Sequence, residues 1–162
     1  MIFVTTGSRA YPFDRLIKAV DEAAFQLKFP KEMVFAQIGI SEYVPVNISY
    51  KRFLDKTIYD EKIRTCDILI THAAAGSLFK SLKMEKKIIA VPRLMEYGEH
   101  VDDHQVELAA KLDEMNMLFF LDDLALLPEK IITIQNHEFN VYSCRTEAVS
   151  DKIHSWIDHF TN

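Results

Sequence analysis

A turn of small residues in the middle of the sequence has the composition of an anion-binding site. It reads Thr71-His72-Ala73-Ala74-Ala75-Gly76-Ser77 and directly follows an apolar run. Small side chains leave the backbone N–H groups at the start of a helix open to an anion, and the helix dipole favours phosphate there. The same side chains also permit tight packing of a strand against a helix. The pattern alone therefore leaves two interpretations, a phosphate site and a packing turn.

Two further stretches carry polar groups beyond what packing requires. Thr6, Gly7 and Ser8 follow the first apolar run and combine two hydroxyl groups with a glycine that permits close backbone approach. Residues 93–105 contain two His, four acidic residues, a Tyr and a Gln. The two histidines are four residues apart, like a metal pair on a helix, but no third ligand is placed and we expect no metal. The sequence contains neither a dinucleotide-binding motif nor a Walker A motif, which argues against simple NAD or ATP binding.

Apolar runs and helix-like periodicity alternate along the chain. Short apolar runs predict strands over residues 2–5, 34–38, 67–71, 88–91 and 118–121, with a weaker one at 46–53. Three- and four-residue apolar spacing predicts helices over residues 13–27, 56–64 (with Asp55 as N-cap), 76–84, 101–115, 124–134 and 146–160. Because parallel neighbours need a crossover, this alternation predicts an α/β fold with a Rossmann-like, doubly wound parallel sheet. Ligands bind outside the carboxyl ends of such strands, where the three polar stretches would meet.

The composition excludes several classes of protein. The chain has 162 residues, of which 49% are hydrophobic and 27% charged, and its net charge is -5. We expect a single globular domain over residues 1–162 that binds neither nucleic acid nor, by itself, an anionic membrane surface. The two cysteines, Cys66 and Cys144, lack metal-ligand spacing, and no apolar run is long enough to span a bilayer. These features predict a cytoplasmic protein without a disulfide framework.

Four parts of the chain together carry a resemblance to a known family. They are Phe3-Val4-Thr5-Thr6-Gly7-Ser8 with Phe13-Asp14-Arg15-Leu16-Ile17, the turn at residues 71–77, Val91-Pro92-Arg93, and Tyr97-Gly98-Glu99-His100-Val101-Asp102-Asp103-His104-Gln105. The chain resembles the small capsular and exopolysaccharide glycosyltransferases of bacteria, which belong with the glycosyltransferase family 28 C-terminal domain. It is similar, more distantly, to the soluble catalytic subunit of the eukaryotic UDP-GlcNAc transferase that extends dolichol-diphosphate-GlcNAc.

The resemblance implies a fold, a reaction and a partner. The fold is the C-terminal, donor-binding half of a GT-B glycosyltransferase, and the other half is a membrane-anchored, acceptor-binding subunit. The reaction is inverting and needs neither metal nor cofactor. A hexose passes from UDP-galactose, or alternatively UDP-GlcNAc, to an undecaprenyl-diphosphate-linked saccharide in capsule or exopolysaccharide synthesis. The chain would work in the cytoplasm, at the inner face of the membrane through its partner, and would form a homo-oligomer when alone.

The resemblance also assigns residues to the site. Donor-binding positions map to Thr6, Gly7, Ser8, His72, Ala75, Gly76, Ser77, His104 and Gln105. The general base is sought among His72, Glu99, His100 and Asp102, or in the partner chain. Three alanines at residues 73–75 replace the glycine-rich turn of the family, and we expect them to add methyl groups where the backbone approaches the ligand.

Two other functions fit the same residues. A non-catalytic UDP-sugar-binding module or subunit would bind UDP without any transfer. A structural homo-oligomer would not respond to UDP at all. Binding of UDP at residues 71–77 therefore separates the structural role from the other two.

Overall fold

Six strands and five helices make up most of the part of the chain that the structure describes, residues 1–7, 11–100 and 104–142 of a computed structural model. The strands are β1 (Ile2–Thr5), β2 (Val34–Gln37), β3 (Ser49–Lys51), β4 (Ile68–Thr71), β5 (Lys87–Ala90) and β6 (Phe119–Phe120). The helices are α1 (Asp14–Gln26), α2 (Lys56–Thr65), α3 (Ala75–Leu82), α4 (His104–Glu114) and α5 (Leu127–Thr133). Short 3-10 turns lie at Lys31–Met33, Met95–Tyr97 and Leu124–Leu126. The helix predicted at residues 146–160 lies outside the described residues.

The six strands form one parallel sheet in the order β3-β2-β1-β4-β5-β6. The chain builds outward from β1 to β3 and then returns to place β4 on the other side of β1. This reversal is the switch point of a doubly wound sheet, where ligand crevices form outside the carboxyl ends of the strands. The predicted Rossmann-like architecture is confirmed.

Helices cover both faces of this sheet. Successive side chains of a strand point to opposite faces, so Ile2 and Val4 pack with α1 and α5 while Phe3 packs with α2, α3 and α4. The strands β1 and β4 are buried along their whole length. A ligand can therefore approach these strands only at their ends. Among the described residues, no helix is long and apolar enough to cross a membrane.

The buried carboxylate of Asp21 explains why β3 is shorter than the predicted strand at residues 46–53. Asp21 lies in α1 and is 1% exposed. Its oxygens accept hydrogen bonds from the amides of Val46 (3.1 Å) and Asn47 (2.7 Å) and from the hydroxyl of Tyr43 (2.8 Å). Because the carboxylate binds these two amides, they cannot pair with β2, and the strand begins only at Ser49.

Local chemistry explains the ends of the other elements. The Asp55 cap is confirmed, since its Oδ1 accepts from the amide of Ile58 at 2.9 Å. The predicted helix at residues 124–134 divides into a 3-10 turn and α5, with Pro128 in the first turn of α5, where its missing N–H is tolerated. The helix predicted from residue 13 begins at Asp14, and the last strand is limited to Phe119–Phe120.

Replacing Tyr43 by Phe tests the contribution of the Asp21 network to stability. The hydrogen bond to Asp21 raises the pKa of Tyr43 to about 12. A raised pKa in the folded state means that the hydroxyl stabilises the fold below its ordinary pKa of about 10, and that this contribution is lost as the pH rises toward 12. Urea unfolding should therefore show that Tyr43→Phe is less stable than wild type at about pH 8, with the difference shrinking toward about pH 11.

Tyr50→Phe is the matched control, because Tyr50 lies on β3 and its hydroxyl makes no hydrogen bond within the described residues. Its difference from wild type should stay near zero over the same pH range. A difference for Tyr43→Phe that does not change with pH would contradict the assigned hydrogen bond.

Candidate functional site

The three polar stretches identified in the sequence meet at the carboxyl end of the sheet. In the strand register, Thr5 of β1 lies beside Thr71 of β4, and Thr71 lies beside Ala90 of β5. The loops that follow these strands therefore start at the same level, with the turn after β4 between the other two. Ligand crevices form at this place in doubly wound sheets, and we call the space between the starts of these three loops the crevice.

The turn after β4 reaches α3 through an alanine in the left-handed conformation. Ala73 has a φ of 60°, which costs a non-glycine residue roughly 1–2 kcal/mol. Its methyl group is fully buried in the core with Phe3 and Leu78. The expectation that the alanines add methyl groups toward the ligand is therefore wrong for Ala73, whose methyl group packs inward. Ala74 then adopts an extended conformation and caps α3.

The first turn of α3 leaves backbone donors without partners among the described residues. Ala74 provides no side-chain cap, and within the described residues no hydrogen bond engages the amides of Ala75, Gly76 and Ser77. The first amide of this helix with a partner is that of Leu78, which donates to the carbonyl of Ala74 at 3.0 Å. A Cβ atom built on Gly76 would meet nothing within 4 Å. These three amides, at the positive end of the helix, can bind an anion.

Two of the predicted donor-binding residues, His72 and Gly7, contact each other across β1 and β4. The Nδ1 atom of His72 lies 3.3 Å from the carbonyl oxygen of Thr5. A carbonyl only accepts hydrogen bonds, so a hydrogen bond in this contact is donated by Nδ1–H. Gly7 has a φ of 78°, and a Cβ atom there would lie 2.7 Å from both Cε1 and Nε2 of the imidazole. Only glycine fits between the ring and the crevice at this position.

The side chains of Thr6 and Gln37 hold the turn after β1 in place. Thr6 is 1% exposed, and both its amide and its hydroxyl donate to the carbonyl of Gln37, at 3.1 and 3.2 Å. The amide nitrogen of the Gln37 side chain donates in turn to the carbonyl of Gly7 at 3.1 Å. The hydroxyl of Thr6 is therefore directed at β2, and this residue shapes the turn instead of offering its side chain to a ligand.

Glu99 links the loop after β5 to α1. Its carboxylate accepts from Nε (3.1 Å) and a terminal nitrogen (2.9 Å) of Arg15, and also from the amide of Leu94 at 3.1 Å. The carboxylate is 6% exposed, and the bidentate pair connects the loop after β5 to the first turn of α1. These contacts make Glu99 an anchor between the loop after β5 and α1, and its role as general base stays a prediction.

The remaining predicted residues lie around the same crevice. His100 is 9% exposed and packs at 6.1 Å from the ring of Tyr11. Gln105 lies in α4 and accepts from the amide of Arg93 through Oε1 at 3.2 Å. His104 is the first residue of α4, and Ser8 and Asp102 lie outside the described residues.

Ser77 shares its hydroxyl with a neighbouring helix. Its Oγ lies 3.0 Å from the hydroxyl of Tyr59 in α2, and the ring of Tyr59 packs edge-on against Phe3 at 5.7 Å. A hydroxyl group has both a donor and acceptor sites, so this contact orients Ser77 and leaves it able to make a second hydrogen bond. Within the described residues, no group of three or more His, Cys, Asp or Glu is placed to hold a metal ion.

A second cleft, of about 580 Å³, lies at the opposite end of the sheet beside Met1 and Asp67. Its two lysines already bond to backbone carbonyls at helix ends: Lys86 donates to Cys66 at 2.9 Å, and Lys87 donates to Ile134 at 3.0 Å. We place the candidate site at the carboxyl end, because there the first amides of α3 have no such partners among the described residues.

Comparison with known proteins identifies the family. Residues 1–154 match the glycosyltransferase family 28 C-terminal domain. The chain belongs to this family. It is also 33% identical over 129 residues to the UDP-N-acetylglucosamine transferase subunit ALG13 of Homo sapiens, an alignment that covers 74% of this chain and 11% of that protein.

Solved structures support the fold of a family 28 C-terminal domain. MurG of Acinetobacter baumannii is similar with a TM-score of 0.62 and 20% identity, over 83% of this chain and 41% of that one. A glycotransferase of kitacinnamycin is similar with a TM-score of 0.64 and 13% identity, over 84% of this chain and 35% of that one. The NMR structure of ALG13 is similar with a TM-score of 0.60 and 16% identity, over 94% of this chain and 93% of that one. The chain therefore has the fold of the C-terminal half of a GT-B glycosyltransferase and spans less than half the length of the MurG and kitacinnamycin glycotransferase chains.

Three residues without a role predicted from the sequence hold the loops that border the crevice. Gln37 of β2 bonds to the loop after β1, Arg15 of α1 bonds to the loop after β5, and Arg93 bonds these two loops to each other. A signal was present for two of them. Gln37 ends an apolar strand, and Arg93 follows a buried strand directly after a proline, so both are polar groups at positions where burial is expected.

Replacing Gly7 by Ala tests the contact with His72. Gly98→Ala is the matched control, because Gly98 also has a positive φ (67°) but a Cβ atom there would meet nothing within 4 Å. Both changes cost roughly 1–2 kcal/mol in backbone strain, and Gly7→Ala should cost at least about 1 kcal/mol more in urea unfolding.

Adding His72→Ala to Gly7→Ala should recover part of this extra loss of stability, since the ring that clashes with the new Cβ atom is then absent. Equal losses for Gly7→Ala and Gly98→Ala would show that the ring does not lie against Gly7.

Proposed function

We propose that the chain is the donor-binding half of an inverting, metal-independent glycosyltransferase that transfers a hexose from a UDP-sugar. One observation carries this proposal. The amides of Ala75, Gly76 and Ser77 have no partner among the described residues and lie at the switch point of the sheet, in a chain of the glycosyltransferase family 28 C-terminal domain. A diphosphate offers the negative charge that such amides bind. The proposed ligand position lies over Gly76, where no side chain intervenes.

The amides of α3 also suit the chemistry of the transfer. The acceptor hydroxyl oxygen forms a bond to the anomeric carbon while the bond from that carbon to the phosphate oxygen breaks. The bonding electrons leave with UDP, and the hydroxyl proton passes to a base. Negative charge on the departing diphosphate therefore grows in the transition state, where fixed N–H groups stabilise it more than in the ground state. This route uses backbone donors in the place of a metal ion.

We assign the general base to the acceptor-binding half. The carboxylate of Glu99 is engaged by Arg15, and the Nε2 edge of His72 is covered by the backbone of Gly7. His100 is largely buried beside Tyr11. None of these three groups is therefore the first base that an acceptor hydroxyl meets when it approaches from outside the crevice. His72 and His100 then help to shape the donor site.

The nature of the donor and of the partner is proposed from the relatives. The human relative is a UDP-N-acetylglucosamine transferase subunit, which supports UDP-GlcNAc as donor and a second subunit as partner. The resemblance to bacterial capsular and exopolysaccharide enzymes supports UDP-galactose and an undecaprenyl-diphosphate-linked saccharide as acceptor. A membrane-anchored partner would hold the chain at the inner face of the membrane.

Gly76→Val tests the proposed site and the proposed reaction together. A branched side chain at the open position should block the diphosphate while the helix still forms. Wild type should gain several degrees in melting temperature with saturating UDP, by ligand linkage, and Gly76→Val should gain less than about 1 degree. In the presence of the partner subunit and a lipid-linked acceptor, wild type should release UDP from UDP-galactose or UDP-GlcNAc, and Gly76→Val should lose at least about 100-fold in rate.

Thr57→Val is the matched control, because Thr57 is an exposed residue at the corresponding second position of α2. It should keep both the UDP shift and the transfer. A UDP shift without transfer of any sugar would favour the non-catalytic module. The absence of a shift in melting temperature when UDP is added to wild type would contradict the proposed function.

A further inference from the structure

We propose that Arg93 is a positioning residue that fixes the donor site by bonding to both ends of the connection between β1 and α1. The guanidinium group is 1% exposed. One terminal nitrogen donates to the carbonyl of Thr6 at 2.5 Å, and the other donates to the carbonyl of Tyr11 at 2.8 Å. Thr6 lies near the β1 end of this connection, and Tyr11 lies near its α1 end. The inference rests on the proposed function, because it assigns the geometry of the same donor site.

The side chain reaches these carbonyls by crossing the end of a strand. Arg93 follows β5, whereas Thr6 follows β1, and β4 lies between these two strands in the sheet. The guanidinium group therefore spans the position of β4 at the carboxyl end of the sheet. The face of the Phe13 ring lies 5.1 Å from its central carbon and supports it from the side of α1.

The loop that carries Arg93 is held by the same set of contacts. Arg93 donates to the carbonyl of Glu99 at 3.0 Å, and its own amide donates to Gln105 at 3.2 Å. Glu99 is paired with Arg15, which also donates to the carbonyl of Pro92 at 3.0 Å. One buried side chain thus sets the position of the β1 turn relative to the loop after β5 on the other side of the α3 amides.

Arginine suits this role because its two terminal nitrogens serve separate carbonyls. A lysine ammonium is a single nitrogen on a flexible stem and cannot span the carbonyls of Thr6 and Tyr11 in one fixed geometry. Arg93→Lys keeps the charge and removes the planar fork. If Arg93 positions the donor site, a folded Arg93→Lys protein should bind UDP more weakly. If it supports only the fold, the folded protein should bind UDP as wild type does.

The test compares Arg93→Lys with Arg52→Lys. Arg52 is also an arginine that donates to loop carbonyls, those of Ser41 (2.9 Å) and Gly39 (3.4 Å), but it is exposed and holds the neighbouring loop after β2. Two readouts are used, both at a temperature where circular dichroism shows each protein folded. They are the Kd for UDP by calorimetry and peptide-level hydrogen exchange without ligand.

Arg93→Lys should raise the Kd for UDP by about tenfold or more, and should raise exchange by about tenfold or more in the peptide that contains Thr6 and Tyr11. Arg52→Lys should keep the Kd within about twofold of wild type and raise exchange only near Ser41. Faster exchange with an unchanged Kd would overturn the positioning role, and unchanged exchange near Thr6 would overturn the contact itself.

Failure of the proposed function is recognised separately. If wild type does not bind UDP, the donor assignment falls, while the exchange pattern still decides whether Arg93 holds the two ends of the connection. If Arg93→Lys does not fold, Phe13→Leu replaces it, because this change removes the ring beside the guanidinium group. The same local rise in exchange is expected, and its absence would contradict the proposal.

Discussion

The parallel pairing of β4 with β1 on one side and β5 on the other determines where the chemistry can occur. This pairing brings Thr5, Thr71 and Ala90 to one level at the carboxyl end of the sheet. The loop after each strand starts from that level, and α3 begins four residues after Thr71. The sheet is covered by helices on both faces, so its carboxyl end is the place where free amides and a ligand can meet.

Hydrogen bonds between distant residues then give the crevice its shape. Arg93 contacts Thr6 across 87 positions of sequence, and Arg15 contacts Glu99 across 84. These contacts hold the loop after β5 to the loop after β1 and to α1. The amides of Ala75, Gly76 and Ser77 have no partners among the described residues. Under the proposed function, the polar side chains around the crevice support the site and the backbone of α3 provides its binding groups.

Much of the fold followed from the sequence because it depends on local patterns. The strand at residues 2–5 and the Asp55 cap were predicted correctly, since apolar runs and capping residues act over short distances. The length of β3 and the pairing of Glu99 with Arg15 were not predicted, because each depends on a partner far along the chain, Asp21 and Arg15 respectively. The inward direction of the Ala73 methyl group follows from a left-handed φ that no residue type announces.

The most direct test of the account is an NMR titration of the ¹⁵N-labelled chain with UDP, which reports on each backbone amide separately. If the unpartnered amides at the start of α3 bind the diphosphate, the largest chemical shift changes should occur at Gly7, Ala75, Gly76 and Ser77. These changes should saturate with a single Kd. Saturable changes confined to the opposite end of the sheet, around Met1, Asp67 and Lys86, would contradict the account.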